Sequence, residues 1–131
     1  MSFFDSASRW QPQLLAVLRI VTGLTFMAHG IIKLFGFPAG AQPGQQEIMT
    51  LMGIGGILET VGGALIILGL FTRPTAFILS GMMAVAYWMF HAPASPYPAV
   101  NGGDAAILFS FVFLYFVASG PGAWSLDGRK R

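Results

Sequence analysis

The sequence contains no cysteine in its 131 residues and has few charged side chains. Without cysteine the chain cannot form disulfide bonds, thiolate nucleophiles or cysteine-bound metal clusters. Charged residues make up 9% of the sequence, whereas about a quarter is usual for a soluble domain. Because so few charges could not keep the surface of a soluble protein hydrated, the sequence predicts a protein of the lipid bilayer.

Several motifs that carry chemistry are also absent. The sequence has no G-x-S-x-G nucleophile elbow, no H-E-x-x-H metal motif and no phosphate-binding loop. The formal net charge is +2, but the basic residues are scattered among apolar runs, which excludes a nucleic-acid partner. Two histidines and a few carboxylates match a metal site in ligand type alone. We therefore predict no metal site.

Long apolar runs are what the sequence does contain. Hydrophobic residues make up 55% of the chain, and a membrane-spanning helix needs about 20 of them in a row. An open sheet could not satisfy its edges in lipid, so we predict an all-α, four-helix membrane bundle as a single domain over residues 1–131. The predicted spans are residues 14–35, 50–70, 75–90 and 104–118. The first run is too long for the core of a signal peptide, and we expect it to be retained.

The distribution of charge predicts the orientation of the bundle. Four spans place both termini and the second connection on one side of the membrane. The basic residues of that side are Arg9, Arg73, Arg129, Lys130 and Arg131. The other side carries Lys33, Glu47 and Asp104. Because basic residues are concentrated on the cytoplasmic side of membrane proteins, we expect both termini in the cytoplasm.

Glu59 is an ionisable residue in the middle of the second span. An ionisable group there costs about 2.5–3.5 kcal/mol on insertion, and residues three or four apart share one helix face. Glu59 therefore points into a surface of glycines, where small residues let helices approach closely. The predicted packing glycines are Gly55, Gly56, Gly62, Gly63 and Gly69. The carboxylate is either a structural partner of a first-span cation or a proton or ligand site, and the sequence leaves both open.

The first span supplies three ionisable residues that could reach Glu59. The helical rise per residue gives the depth of each residue below the outer end of its own span. Glu59 lies roughly 13 Å deep, His29 roughly 9 Å deep and Arg19 roughly 24 Å deep. Glu59 should therefore reach His29 more readily than Arg19. We expect Arg19 to extend to the inner headgroups, as long basic side chains do, and Lys33 either to extend to the outer headgroups or to join the polar residues of the outer half.

The outer half of the bundle collects further polar residues. His91 ends the third span, and Asn101 and Asp104 lie where the fourth begins. Together with His29, Lys33 and Glu59 they are candidates for one polar pocket, which could relay protons or bind a ligand. Tyr87 and Trp88 fit better as residues of the aromatic belt at the membrane surface.

The order and spacing of these residues resemble the DoxX family of small bacterial membrane proteins. The first two spans carry patterns similar to its H-G-x-x-K-L-F, E-x-x-G-G and G-L-x-T-R motifs, and the tail is similar to its G-x-G-x-x-S-L-D ending. The matching segments begin at His29, Glu59, Gly69 and Gly120. Relatives often have glutamate where this chain has Asp104, which is a departure with a shorter side chain.

This resemblance implies a multi-pass protein of the bacterial inner membrane with a redox association, since the family includes DoxD-type subunits of thiosulfate:quinone oxidoreductase. The first hypothesis is thus a membrane subunit of a redox system that binds a quinone or a similar apolar molecule. We expect no stand-alone catalysis, with an oxidoreductase complex as the context for any activity. The partners would be the bilayer and other membrane or redox subunits, or further copies of the chain.

Two alternatives stay open. A structural or partner-anchoring protein without its own ligand is favoured by the glycine-rich helix faces. A small transporter or proton conduit is less favoured, because the sequence lacks an internal repeat and Arg19 alone supplies the inner half of a proton path.

Overall fold

The protein is a set of apolar helices joined by short connections. The computed structural model describes residues 2–129, which contain helices and no strand. Lys130 and Arg131, counted above in the predicted inner charge, lie outside the described residues. The helices are α1 (Phe3–Ala7), α2 (Gln11–Phe35), α3 (Leu51–Leu68), α4 (Thr72–Ala86), α5 (Pro98–Asn101), α6 (Asp104–Ser119) and α7 (Leu126–Arg129).

Three stretches of helix are long and apolar enough to cross a membrane. They are Phe3–Phe35, Leu51–Leu68 and Thr72–Ala94, and the apolar helix Asp104–Ser119 is shorter. These helices confirm the prediction of an all-helical membrane protein. The third helix begins three residues before the predicted position, because Pro74 lies in its first turn, where the missing N–H is not needed.

Helices α2 and α3 form one closely packed pair. Glycines lie where the two helices come closest. A Cβ atom on Gly63 would lie 2.7 Å from the Met27 Cβ, and a Cβ atom on Gly30 would lie 2.7 Å from the Gly56 carbonyl oxygen. Glycine at these positions therefore lets the two backbones touch, as in other membrane helix pairs.

The predicted packing glycines contact different parts of the fold. Gly56 and Gly63 face α2, and Gly62 lies against Leu79 of α4. Gly69 ends α3 with a φ of 64° and lies against Ser125. Gly55 differs from these four, since a Cβ there would meet only the Glu59 carboxylate of its own helix, at 3.9 Å.

Helices α4 and α6 form the second pair. Ser80 donates a hydrogen bond to the Ser110 carbonyl at 2.7 Å, and Ser110 donates in return to the Ser80 carbonyl at 2.9 Å. Around this exchange the two pairs share one apolar core, in which the Phe26 ring of α2 packs edge-on against Phe113 of α6. Elsewhere α2 and α6 contact each other sparsely.

Besides the shared core, two links between the pairs lie at one end of the bundle, here called the tail end. One link is the turn between α3 and α4, where Phe71 adopts a left-handed φ of 51°. The other is the segment 120–129, whose Ala123 amide donates to the Pro12 carbonyl and whose Asp127 amide donates to the Gly69 carbonyl. Residues 36–50 and 87–103 stay within a pair at the opposite end, here called the loop end.

Candidate functional site

Lys33 and Glu59 form an ion pair between α2 and α3. The Lys33 Nζ contacts Glu59 Oε1, and their side chains are only 15% and 4% exposed. The pair forms because Gly56 lets α3 approach α2 beside the Lys33 Cβ. The expectation that Lys33 extends to the outer headgroups is therefore wrong, since its ammonium turns inward to the carboxylate.

His29 lies one helical turn before Lys33 on α2, but its ring contacts a residue of α6. Its Nδ1 is 2.8 Å from the Thr25 carbonyl oxygen, and its ring packs edge-on against Phe109 of α6 with 6.1 Å between the centroids. The side chain is exposed. Although its depth suggested that Glu59 could reach it, His29 contacts α6, and Lys33 is the cation that pairs with Glu59.

An apolar cleft runs along the seam between α2 and α6. It has a volume of about 240 Å³ and is lined by Thr22, Ala105, Leu108, Phe109 and Val112. Phe109 is thus shared between the cleft wall and His29. The cleft exists because the two helices belong to different pairs. A larger hollow of about 540 Å³ is formed by residues 45–49 of the connection between α2 and α3, where Glu47 supplies the only ionisable side chain.

His91 and Asn101 form a second polar group, at the loop end of α4. The His91 Nδ1 is 3.1 Å from the Asn101 carbonyl oxygen, and the Asn101 side chain donates to the Tyr87 hydroxyl at 3.2 Å. Tyr87 stacks on His91 and lies against Gly103. Tyr87 therefore belongs to this polar group and not to an aromatic belt, whereas Trp88 is 70% exposed, as a belt residue would be.

These residues lie on a π-helix, Tyr87–His91, that extends α4. Such wide turns occur often at functional sites. The sequence suggested an ordinary helix here. The one available signal is Pro93, which lacks the N–H that a regular helix would need to continue.

Asp104 begins α6 and is exposed. The described part of the chain offers its side chain no hydrogen-bond or ion-pair partner. A carboxylate at this position is favourable because the N-terminus of a helix carries partial positive charge.

The six candidate residues thus occupy three places. Lys33 and Glu59 pair inside the first helix pair, His29 lies at the seam, and His91 and Asn101 join at the loop end of the second pair, with Asp104 nearby in sequence. No hydrogen bond among residues 2–129 connects these three places, and the same residues contain no group of three or more side chains suited to a metal.

Arg19 is a buried residue whose position the sequence did not indicate. Its side chain is 0% exposed. The guanidinium donates to the Pro121 carbonyl, to Ala123 O at 3.1 Å and to Trp124 O at 2.8 Å. The expectation that Arg19 extends to the inner headgroups is wrong, because the C-terminal segment folds back and brings backbone carbonyls to it.

Asp127 attaches the C-terminal segment to the start of α4 at the tail end. Its two carboxylate oxygens accept from the backbone N–H groups of Phe71 and Thr72, each at 2.9 Å. These donors belong to the start of α4, where no carbonyl of the helix can reach them. Whereas Asp127 accepts hydrogen bonds at the start of a helix, Arg73 donates them at the end of one. Its guanidinium donates to the carbonyls of Val117 and Ala118 in the last turn of α6, each at 2.7 Å.

The sequence of the chain matches a known family. The DoxX family model matches residues 14–92, which is more than half of the chain. The chain belongs to the DoxX family. The matched part includes the Lys33–Glu59 ion pair, His29 and the π-helix, while the C-terminal segment held by Arg19 lies beyond it.

Relatives of this DoxX protein occur in several bacteria. An uncharacterized protein of Haemophilus influenzae is 42% identical over 95% of this chain and 96% of the relative. Inner membrane protein YphA of Escherichia coli is 30% identical over 98% of both chains. An uncharacterized membrane protein of Mycobacterium tuberculosis is 31% identical over 90% of this chain and 82% of the relative. No solved structure matches the chain.

These relatives and the apolar helices identify the location of the protein. Two of the relatives in Escherichia coli are named as inner membrane proteins. Three helices of this chain are long and apolar enough to span a membrane. The protein is therefore a multi-pass protein of the bacterial inner membrane.

Proposed function

We propose that this DoxX protein is a membrane subunit of a redox system and binds a quinone-type molecule in the cleft between α2 and α6. The observation that supports this proposal is a histidine beside an apolar cleft: His29 packs against Phe109, which also lines the cleft. A quinone needs this combination, an apolar slot for its ring and a hydrogen-bonding group for its oxygen.

The cleft suits a ligand that arrives through the bilayer. Four of its five lining residues are apolar, and Leu108 is 64% exposed on its rim. The His29 ring supplies a polar group that can hydrogen-bond to such a ligand. Of the six residues predicted to form a polar pocket, we therefore propose His29 as the one that contacts the ligand. Lys33 and Glu59 form an ion pair with each other, and His91 forms a hydrogen bond with the Asn101 carbonyl oxygen.

The chain has no cysteine for redox chemistry of its own. We therefore assign electron transfer to a partner subunit, with this chain supplying the apolar slot and the hydrogen-bonding group.

The first test is binding of a short-chain benzoquinone to the protein in lipid nanodiscs, measured by calorimetry. Ala105→Phe should abolish binding by filling the cleft. Val85→Phe is the matched control, because Val85 is 56% exposed on α4 and does not line the cleft. If the unmodified protein binds neither the oxidised nor the reduced form, the proposal is wrong.

A second candidate is a structural or partner-anchoring subunit without a ligand. The Lys33–Glu59 pair and the Arg19 contacts favour it, because each buried charge is used within the fold. Under this alternative, filling the cleft with Ala105→Phe would leave the assembly and its activity unchanged. Co-purification from membranes in mild detergent, comparing this variant with the unmodified protein, separates the two.

We also propose that both termini face the cytoplasm. Arg9, Arg73 and Arg129 support this orientation, since the first precedes α2 and the others lie at the tail end. A fluorescent protein fused after the C-terminus should fold and fluoresce, and alkaline phosphatase at the same place should be inactive. The reverse result would overturn the orientation.

A further inference from the structure

Trp124 is an exposed residue in a segment whose backbone is docked on both sides of it. The Ala123 amide donates to the Pro12 carbonyl at 3.0 Å, and Ser125 is buried. The Trp124 carbonyl itself accepts from the Arg19 guanidinium at 2.8 Å. Trp124 is nevertheless 66% exposed. The segment is thus held to the bundle, while its largest apolar side chain lies at the surface.

The backbone of Trp124 adopts a conformation that bulky residues rarely take. Its φ is 54°, in the left-handed region, where glycine fits without cost and asparagine is tolerated. Gly120 and Gly122 of the same segment have positive φ angles of 73° and 72°. A tryptophan is less favourable here than a third glycine, and an exposed side chain recovers little of that cost by packing within the chain. We therefore expect a compensating contact outside the chain.

The chemistry of the indole indicates which surroundings suit it. The ring of Trp124 is apolar, and no side chain or carbonyl among residues 2–129 accepts a hydrogen bond from its Nε1. In hydrocarbon this N–H group would lack an acceptor, and in water the apolar ring would be hydrated. The boundary between acyl chains and headgroups satisfies both parts of the indole, and tryptophan is enriched there.

The position of Trp124 along the bundle agrees with that boundary. The apolar helix α6 ends at Ser119, and the segment that follows returns to Pro12 in the first turn of α2. Trp10, which is also exposed, immediately precedes α2. The Arg9 guanidinium lies over the Trp10 ring, 5.5 Å from its centre, and a charged group of this kind requires headgroups or water beside it. Both indoles therefore lie at the tail end, next to the ends of membrane helices.

We propose that Trp124 inserts its indole into the boundary between the acyl chains and the headgroups, and thereby anchors the C-terminal segment to the bilayer. The partner is the lipid surface at the tail end. The backbone contacts with Arg19 and Pro12 hold the indole in position. This contact is separate from the cleft between α2 and α6, so its test does not depend on the proposed function.

The fluorescence of a single tryptophan measures the depth of the indole. The chain contains three tryptophans, and replacing Trp10 and Trp88 with phenylalanine leaves Trp124 as the reporter. The protein is placed in nanodiscs whose phospholipids carry bromine, a fluorescence quencher, either near the headgroup or near the methyl end of the acyl chain. Bromine near the headgroup should quench Trp124 several-fold more strongly than bromine near the methyl end.

Phe111→Trp, in a chain whose natural tryptophans are all replaced by phenylalanine, is the matched control. Phe111 is 65% exposed, nearly the same as Trp124, but it lies in the middle of α6. The order of quenching should therefore be reversed for this variant.

Three results for Trp124 would overturn the proposal. Stronger quenching by the deep bromine would place the indole in hydrocarbon. Quenching by aqueous acrylamide, with no effect of either brominated lipid, would place it in water. Protection from all of these quenchers would mean that a second copy or another protein covers it.

Two substitutions test whether the indole holds the segment. Trp124→Asn suits the left-handed backbone and removes the ring, whereas Trp124→Tyr keeps a ring with a polar tip. In nanodiscs, exchange of the Ala123 amide hydrogen should become several-fold faster in Trp124→Asn and stay close to the unmodified rate in Trp124→Tyr. Unchanged or slower exchange in Trp124→Asn would overturn the anchoring role, because the backbone conformation would then dominate. Equal acceleration in both variants would overturn it as well, because loss of the ring would not explain the effect.

Discussion

Lys33 and Glu59 are two buried charges that the fold accommodates only as a pair. Both side chains lie largely inside the interface of α2 and α3. Removing one partner of a buried pair leaves an uncompensated charge, which typically costs about 3–5 kcal/mol, whereas replacing both can be close to neutral.

The first prediction concerns this pair. Glu59→Gln should lower the free energy of unfolding by roughly 3 kcal/mol, because the Lys33 ammonium loses its counter-charge. Adding Lys33→Met to Glu59→Gln should recover much of the loss. Thermal unfolding of the protein in mild detergent measures both variants. If the double variant is less stable than Glu59→Gln, the ion pair is not the origin of the effect.

Arg19 satisfies several carbonyl groups with one planar side chain. A lysine has a compact charge and cannot reproduce the fork of a guanidinium. The carbonyls of Ala123 and Trp124 would then lack part of their hydrogen bonding in a buried place.

The second prediction is that Arg19→Lys releases the C-terminal segment. Amide hydrogen exchange should accelerate at Ala123 and Asp127, whose N–H groups bond to Pro12 and Gly69 in the folded protein. Arg9→Lys is the control, because Arg9 is exposed. Unchanged exchange at both amides would show that the segment docks without Arg19.

At the scale of helices, glycine has opposite consequences in different places. A Cβ on Gly63 would meet the Met27 Cα at 3.0 Å and the Gly23 carbonyl oxygen at 3.1 Å, which are backbone atoms that cannot turn away. A Cβ on Gly81 of α4 would have nothing within 4 Å.

The third prediction follows from this contrast. Gly63→Ala should destabilise the protein by about 1–3 kcal/mol, because the pair α2–α3 must separate to make room. Gly81→Ala should be neutral or stabilising by up to about 1 kcal/mol, because alanine favours the helix. Unfolding of both variants under identical detergent conditions tests the difference. Equal effects would mean that the contact between α2 and α3 is not limiting.

At the scale of the whole molecule, the bundle is two helix pairs linked at the tail end. The turn between α3 and α4 and the segment 120–129 make those links. Since α2 and α6 contact each other sparsely, the tail end should restrain the separation of the pairs at the loop end.

The fourth prediction tests that restraint by distance measurements. The chain has no cysteine, so introduced cysteines can carry spin labels without interference. One pair of labels is placed at Phe35 and Met89, one on each helix pair. In Asp127→Ala the distribution of distances between these two labels should broaden, because the variant loses the contact with the start of α4. The distribution for labels at Phe35 and Leu51, which lie within one helix pair, should keep its width. Equal broadening of both distances would indicate general unfolding instead.

The helices, the membrane location and the family of this protein all follow from its amino-acid sequence. These depend on composition and on the length of apolar runs, which are local properties of the chain, and the same patterns located Glu59 within a glycine-rich helix face. The start of α4, three residues before the predicted position, is also a local matter, because Pro74 fits within the first turn of a helix.

The tertiary structure alone decided which charges pair and where the cleft lies. The partner of Glu59 depends on how closely α3 approaches Lys33 at Gly56, and depth along each helix does not report that approach. The environment of Arg19 depends on a segment more than 100 residues away in sequence. The cleft arises because α2 and α6 pack against other helices first, and the contacts that decide this join residues far apart along the chain.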